Sequence, residues 1–205
     1  MKFINDKKDK LILIIILFII IKNMEFNELS GNIITYNDFH YKLDDIPNEF
    51  TLVFNTIDED TELYLINLIK SKDPNDKTKL KEIMKCFSNE FYSNAGPNGE
   101  TLKYKLNTQS AHFLPKGEGM IFTEQDMKVN PIVVVISMGS DIVLTLKDKK
   151  TQRMINIPIP RRSMFLLQDE QRKYQRGIAK RDKDIVGNKT ISRQDRFSIL
   201  FESRK

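Results

Sequence analysis

Two histidines, His40 and His112, and one cysteine, Cys86, are the whole supply of imidazole and thiol in 205 residues. Metal chemistry leans on these groups. Non-haem iron, for example, takes two imidazoles and one carboxylate and keeps positions open for co-substrate and dioxygen. In sequence that set is written H-x-D or H-x-E, with a second histidine far along the chain. Here the residue two places after His40 is Lys42, and the one two places after His112 is Leu114, so no such pair exists. Glu124 and Asp126 lie close together, but two carboxylates without imidazole make a different site. A single cysteine excludes an internal disulfide and a multi-cysteine zinc site. Cys86 falls on the apolar face of an expected helix, where a buried core thiol is the simpler reading.

The other chemistry-bearing group is cationic. Between Lys147 and Lys183 there are twelve Lys and Arg against four Asp and Glu. Arg161, Arg162, Arg172, Lys173, Arg176, Lys180 and Arg181 carry much of that excess, and such clusters can position a polyanion through its phosphates without reading its sequence. The competing reading is a solvated charged surface. The formal net charge of +5 permits a nucleic-acid partner without demanding one. Asn188-Lys189-Thr190 matches a glycosylation sequon, which matters only on a secretory route.

These side chains need elements to hold them. The acidic run Asp58, Glu59, Asp60 after Thr56 is a helix N-terminus, since carboxylates favour the positive end of the helix dipole. Leu63, Leu65, Ile66, Leu68 and Ile69 then fit a helix lying on a core. Residues 71–77, with Pro74, read as a polar break. A second helix is expected over residues 79–89, with Leu80, Ile83, Met84 and Phe87 on one face. Residues 94–100 have the chemistry of a loop. Short strands are expected at 33–36, 50–54, 103–106, 112–114 and 120–122. Residues 132–138 are a continuous apolar run suited to a strand buried on both faces. A turn at Gly139-Ser140-Asp141, a return strand over 142–146 and a solvated hairpin tip at 147–150 follow, then strands at 154–159, 164–167 and 197–201. Helices first and many short strands afterwards argue an α+β domain built on a β-sandwich or barrel.

Three blocks resemble the C-terminal core of the AlkB family of Fe(II)- and 2-oxoglutarate-dependent dioxygenases. They are Ile132 to Ser140 (IVVVISMGS), Pro160-Arg161-Arg162-Ser163 continuing to Gly177-Ile178, and Arg196 to Glu202 (RFSILFE). The resemblance covers roughly residues 110 to 202. It implies an α+β fold with a double-stranded β-helix (jelly-roll) core and two or three supporting N-terminal helices. It also locates where the family's iron ligands would stand: the first histidine at Thr123, the aspartate at Gln125 and the second histidine at Arg176. A hydroxyl and an amide are poor ligands, and a guanidinium repels a cation. The Asn and Tyr that contact 2-oxoglutarate in the family stand here as Ala111 and Phe113, and the second arginine of the last strand stands as Glu202. Arg196 and Ser198 keep their places and would hold 2-oxoglutarate if it binds; Arg196 reads equally well as a structural ion-pair residue.

The expectation is therefore a catalytically degenerate AlkB-like domain, with no cofactor, that binds RNA or a ribonucleoprotein through its basic face. The alternatives are a divergent Fe(II)/2-oxoglutarate dioxygenase acting on alkylated nucleic acid or protein, and a structural subunit with a protein partner. Residues 1–24 contain eleven consecutive apolar residues at 11–21, short of the roughly 20 that a spanning helix needs. They read as a short membrane anchor, as a leader dispensable to the fold, with Met24 as an alternative start, or as a cleaved signal. Residues 25–205 are one domain. A cytoplasmic or nuclear location is expected, or a membrane-anchored one if residues 11–21 are retained.

Overall fold

The computed structural model describes residues 33–36, 39–42, 46–47, 50–94, 104–122, 129–168, 173–186 and 189–204. In chain order the elements are β1 (Ile33–Tyr36), β2 (Phe39–Lys42), β3 (Phe50–Val53), α1 (Glu59–Lys70), α2 (Pro74–Asn94), β4 (Thr108–Leu114), β5 (Val129–Met138), β6 (Ile142–Asp148), β7 (Met154–Ile159), β8 (Ser163–Gln168), β9 (Tyr174–Gly177), β10 (Lys183–Val186), β11 (Lys189–Ser192) and β12 (Arg196–Arg204). Five strands form one antiparallel sheet in the order β3-β8-β5-β12-β4, and three form a second in the order β7-β6-β9. Two further antiparallel hairpins are β1-β2 and β10-β11. The domain is α+β, with a layered antiparallel β core.

Alternation along β5 shows how the layers are made. Ile132, Val134, Ile136 and Met138 join one apolar cluster with Leu65 and Leu68 of α1, Leu80, Ile83, Met84, Phe87 and Phe91 of α2, and Phe197, Ile199 and Phe201 of β12. Val133 and Val135 point the other way, into a second cluster with Ile142, Leu144 and Leu146 of β6, Ile157 and Ile159 of β7, and Phe165 and Leu167 of β8. The five-stranded sheet thus carries the helices on one face and the three-stranded sheet on the other. That is why the run over 132–138 is apolar at every position but Ser137, although its neighbours are antiparallel. Each such side chain contributes about 1.5–3 kcal/mol by leaving water.

The helices start as their chemistry requires. Asp58 caps α1, its side chain accepting the Thr61 N–H at 2.8 Å, and Glu59, Asp60 and Glu62 fill the first turn. The second helix differs from expectation. It begins at Pro74 rather than near residue 79 and continues to Asn94. Proline is favoured at the first helical position, where its missing N–H would have no partner anyway. Residues 104–106 form no strand, and 120–122 contribute only one antiparallel bridge, Met120 with Ile178. The strands β2, β9, β10 and β11 have no counterpart among the expected elements. They are four residues each, too short for periodicity to register.

The turn between β5 and β6 ties these layers to α1. Gly139 has φ of 82°, and a Cβ there would lie 2.5 Å from the Asp195 carbonyl oxygen. Its N–H donates to Glu62 Oε1 at 2.7 Å.

Of the loop expected over 94–100, Asn94 is the last residue of α2 and residues 95–100 lie outside the described residues, as do the sequon asparagine Asn188 and residues 1–24. Among the described residues no helix is long and apolar enough to cross a membrane.

Candidate functional site

The face of β12 opposite the helices carries Arg196, Ser198, Leu200 and Glu202, so the strand's polar residues are turned toward the second sheet. Its neighbours extend that polar zone. Ser198 lies opposite His112 on β4 and opposite Ser137 on β5, and Leu200 lies opposite Ser110. From the other sheet Arg176 lies opposite Leu146, whose side chain belongs to the cluster between the sheets. A row of polar β-strand side chains therefore faces the second sheet, running from the buried Arg196, Ser198 and Ser137 out to His112 on the exposed edge strand.

Its most unusual member is Arg196. The residue is 7% exposed, its Nη1 donates to Ser198 Oγ at 3.2 Å, and its Nε has no hydrogen-bond partner. Burial and the nearby Arg193 charge push its pKa down to about 10, so it remains cationic at neutral pH. The hydroxyl of Ser137, across from Ser198, is buried and equally unpartnered. Buried donors without acceptors are rare in folded proteins and mark either strain or a place for a polar ligand. A cation beside two hydroxyls is chemically complementary to an anion.

The far end of the zone is closed by charge. Arg176 Nη2 lies 3.7 Å from Glu202 Oε1, and each side chain is 12% exposed. His112 stands along the strand pair between Arg196 and Glu202, with its Nε2 2.7 Å from Ser110 Oγ. Partial burial and the Arg196 charge hold its imidazole below the ordinary value, against an opposing pull from Glu202. Alternation in β4 (TQSAHFL) is the one sequence signal that pairs Ser110 with His112, and it becomes informative only once the strand is known.

Of the seven basic residues, the six that are described stand in different surroundings. Arg161 donates to Glu62 Oε2 from Nη2 at 2.6 Å and from Nε at 3.1 Å, and Arg162 Nη1 lies 3.3 Å from Glu59 Oε2. These two arginines fasten the β7–β8 turn to the first turn of α1. For Arg161, burial alone would lower the pKa, but the bond to and charge of Glu62 outweigh it and raise it. Lys180 Nζ is 3.0 Å from Glu118 Oε1, and Arg181 Nη2 is 2.7 Å from Asp184 Oδ1. Arg176 is the interior residue just described. Lys173 lies at the opposite end of the sheet from Arg161 and Arg162, its Nζ 4.9 Å over the Tyr174 ring. Arg172, Thr123, Glu124, Gln125 and Asp126 lie outside the described residues.

Asp184 is the centre of a buried charged cluster. Its carboxylate accepts from Arg193 Nε at 2.6 Å, from Arg193 Nη2 at 2.8 Å, from Arg181 Nε at 2.7 Å and from the Val143 N–H at 3.1 Å. Cys86 is half-buried on α2, and burial, followed by Glu82 and Glu90, raises its thiol pKa, which makes it a poor nucleophile. Among the described residues no three His, Cys, Asp or Glu side chains stand close enough to hold a metal ion. Compared with family models and with curated proteins, the chain matches none.

Proposed function

We propose that this chain is a catalytically degenerate AlkB-like domain, with a double-stranded β-helix core, that acts as a binding module for RNA or a ribonucleoprotein. The observation that carries the proposal is the Arg176–Glu202 ion pair. The AlkB resemblance puts an iron-binding histidine at Arg176 and a co-substrate arginine at Glu202. Here the two residues face each other and satisfy each other's charge. A cation is repelled by the first and an anion by the second, so the residues present do not fit Fe(II). A five-stranded and a three-stranded antiparallel sheet around a shared apolar core are compatible with the jelly-roll form of that architecture.

The test is titration of the purified protein with Fe(II) in the presence of 2-oxoglutarate, reading bound iron and succinate release. The expected result is no stoichiometric iron and no succinate above the uncoupled background. Tight iron binding with turnover would overturn the proposal and favour a divergent dioxygenase of alkylated nucleic acid or protein.

A second reading is favoured by Arg196 alone. A buried, cationic guanidinium with an unpartnered Nε, beside the hydroxyls of Ser198 and Ser137, suits the carboxylate of 2-oxoglutarate or a similar acid. Binding without turnover predicts that 2-oxoglutarate raises the melting temperature of the protein and leaves Arg196→Met unaffected. Equal shifts in both proteins would remove this reading.

A further inference from the structure

We propose that the end of the β6–β7 hairpin, centred on Lys147, Lys149 and Lys150, is the surface that docks the phosphate backbone of RNA. This rests on the reading of the chain as an RNA-binding module and gives that module a location. Arg161, Arg162, Arg176, Lys180 and Arg181 each face a carboxylate. By contrast, Lys147, Lys149 and Lys150 have no carboxylate within ion-pair distance among the described residues. Arg153 and Lys173 stand at the same end, already engaged with neighbouring groups, Lys173 with the Asp148 carboxylate and the Tyr174 ring. The Lys149 N–H donates to the Lys173 carbonyl at 2.8 Å, which sets the start of β9 beside the hairpin.

Among the described residues of this group the acid is Asp148, and it is turned inward. Asp148 is 8% exposed, and its Oδ1 accepts the N–H groups of Lys150 at 2.9 Å and Thr151 at 2.8 Å. Those bonds, that of Thr151 first, hold its carboxyl below the usual range against the smaller effect of burial. Its negative charge is thus engaged by the turn and by Lys173, while Lys150 is exposed and Lys147 and Lys149 are half-exposed. The turn is also well determined. Asp148 N–H donates to the Arg153 carbonyl at 2.9 Å, Gln152 N–H to the Asp148 carbonyl at 2.8 Å, and the Gln152 side chain to the Lys149 carbonyl at 2.7 Å. Gln152 takes a left-handed φ of 61° to close it. A loop ordered in advance loses little entropy on binding.

The surroundings favour RNA over a lipid surface. Attachment to a membrane interface needs a broad apolar face next to the cations. Among the described residues, Met154, 57% exposed and opposite Lys147, is the one exposed large hydrophobic side chain of this hairpin; Leu63, Phe113, Met120, Ile121 and Ile185 stand elsewhere. Phosphate contact by lysine point charges requires no such face and is weakened by salt.

The experiment uses the full chain and a fluorescein-labelled single-stranded RNA of mixed sequence, with binding read by anisotropy across a salt series. K147Q/K149Q/K150Q is expected to bind about tenfold more weakly or worse, with a log–log salt slope smaller by about 2, since each neutralised phosphate contributes about 0.7 on a single strand. K147R/K149R/K150R is expected to bind like the wild type. K85Q/K105Q, which removes two lysines from the cleft of about 390 Å³ between α2 and β4, is expected to leave binding unchanged. Thermal melts confirm that each variant is folded. If the wild type binds RNA and K147Q/K149Q/K150Q binds equally well, the hairpin is overturned while the RNA-binding reading stands. An equal loss in K85Q/K105Q also overturns the hairpin, because bulk charge then accounts for binding. No binding of RNA by the wild type overturns both, as does binding of phosphatidylserine vesicles in its place.

Discussion

Asp184 shows how much one side chain can hold in this fold. Arg193 is 2% exposed, and the Asp184 carboxylate is its counter-ion, with the Ala179 carbonyl taking the Nη1 hydrogen at 2.5 Å. Asp184→Asn keeps the shape and removes the charge, leaving a buried guanidinium beside a neutral amide. Breaking one partner of a buried pair costs about 3–5 kcal/mol, and urea unfolding should register a loss of that size. The pH dependence follows from the same contacts. Burial raises the Asp184 pKa, but the bonds and charges of Arg193 and Arg181 outweigh it and leave it below the ordinary 3.8. A carboxyl with a depressed folded value contributes stability above its unfolded value and loses it as pH falls through the folded one. The wild type should therefore lose stability on acidification below about pH 4, and Asp184→Asn should show a flatter acid limb. Little of this was legible beforehand. Arg193 and Asp184 were two of many charges in a polar stretch, and only the fold brings β10 and the chain before β12 against the start of β6.

At the scale of elements, local chemistry was the better guide. The acidic run before α1, the β-branched run of β5 and the turn residues after it each report a local conformation that neighbouring side chains impose. Gly139 is the sharpest case, because both its left-handed φ and the Asp195 carbonyl forbid a side chain. Gly139→Ala should cost about 2 kcal/mol or more in denaturant unfolding and should disturb the N–H bond to Glu62. A wild-type stability in that variant would show that the turn can relax. Where local reading failed, it failed for physical reasons. Pro74 is both a breaker and a good first residue, and only the continuation of the helix decides between them. The strands β9 and β10 have a single buried position or two each, too few to give a period.

Across the whole molecule, β5 is the shared wall of two apolar clusters, so the layers should unfold together. Ile136→Ala, at a site with no exposure and on the helix side, should cost about 2–5 kcal/mol. The loss should appear as one cooperative transition by both far-UV circular dichroism and tyrosine fluorescence. In hydrogen exchange the amides of β5 and β12 should open only with global unfolding, and those of the β10–β11 hairpin sooner. Separate transitions for helices and sheets would contradict the shared wall.

What the sequence by itself determined is the period of the main apolar elements and that no H-x-D or H-x-E pair is present. Apolar alternation is a local property, and the lack of an H-x-D or H-x-E pair can be read without a fold. Tertiary structure alone decided how the charges are spent. The pairing of Arg176 with Glu202, the unpartnered Nε of Arg196 and the inward turn of Asp148 depend on sheet register and on layers meeting across the core. A string of cations looks uniform in sequence. Folding divides it, because an ion pair requires two groups within a few ångströms, and only the packed chain determines which groups come that close.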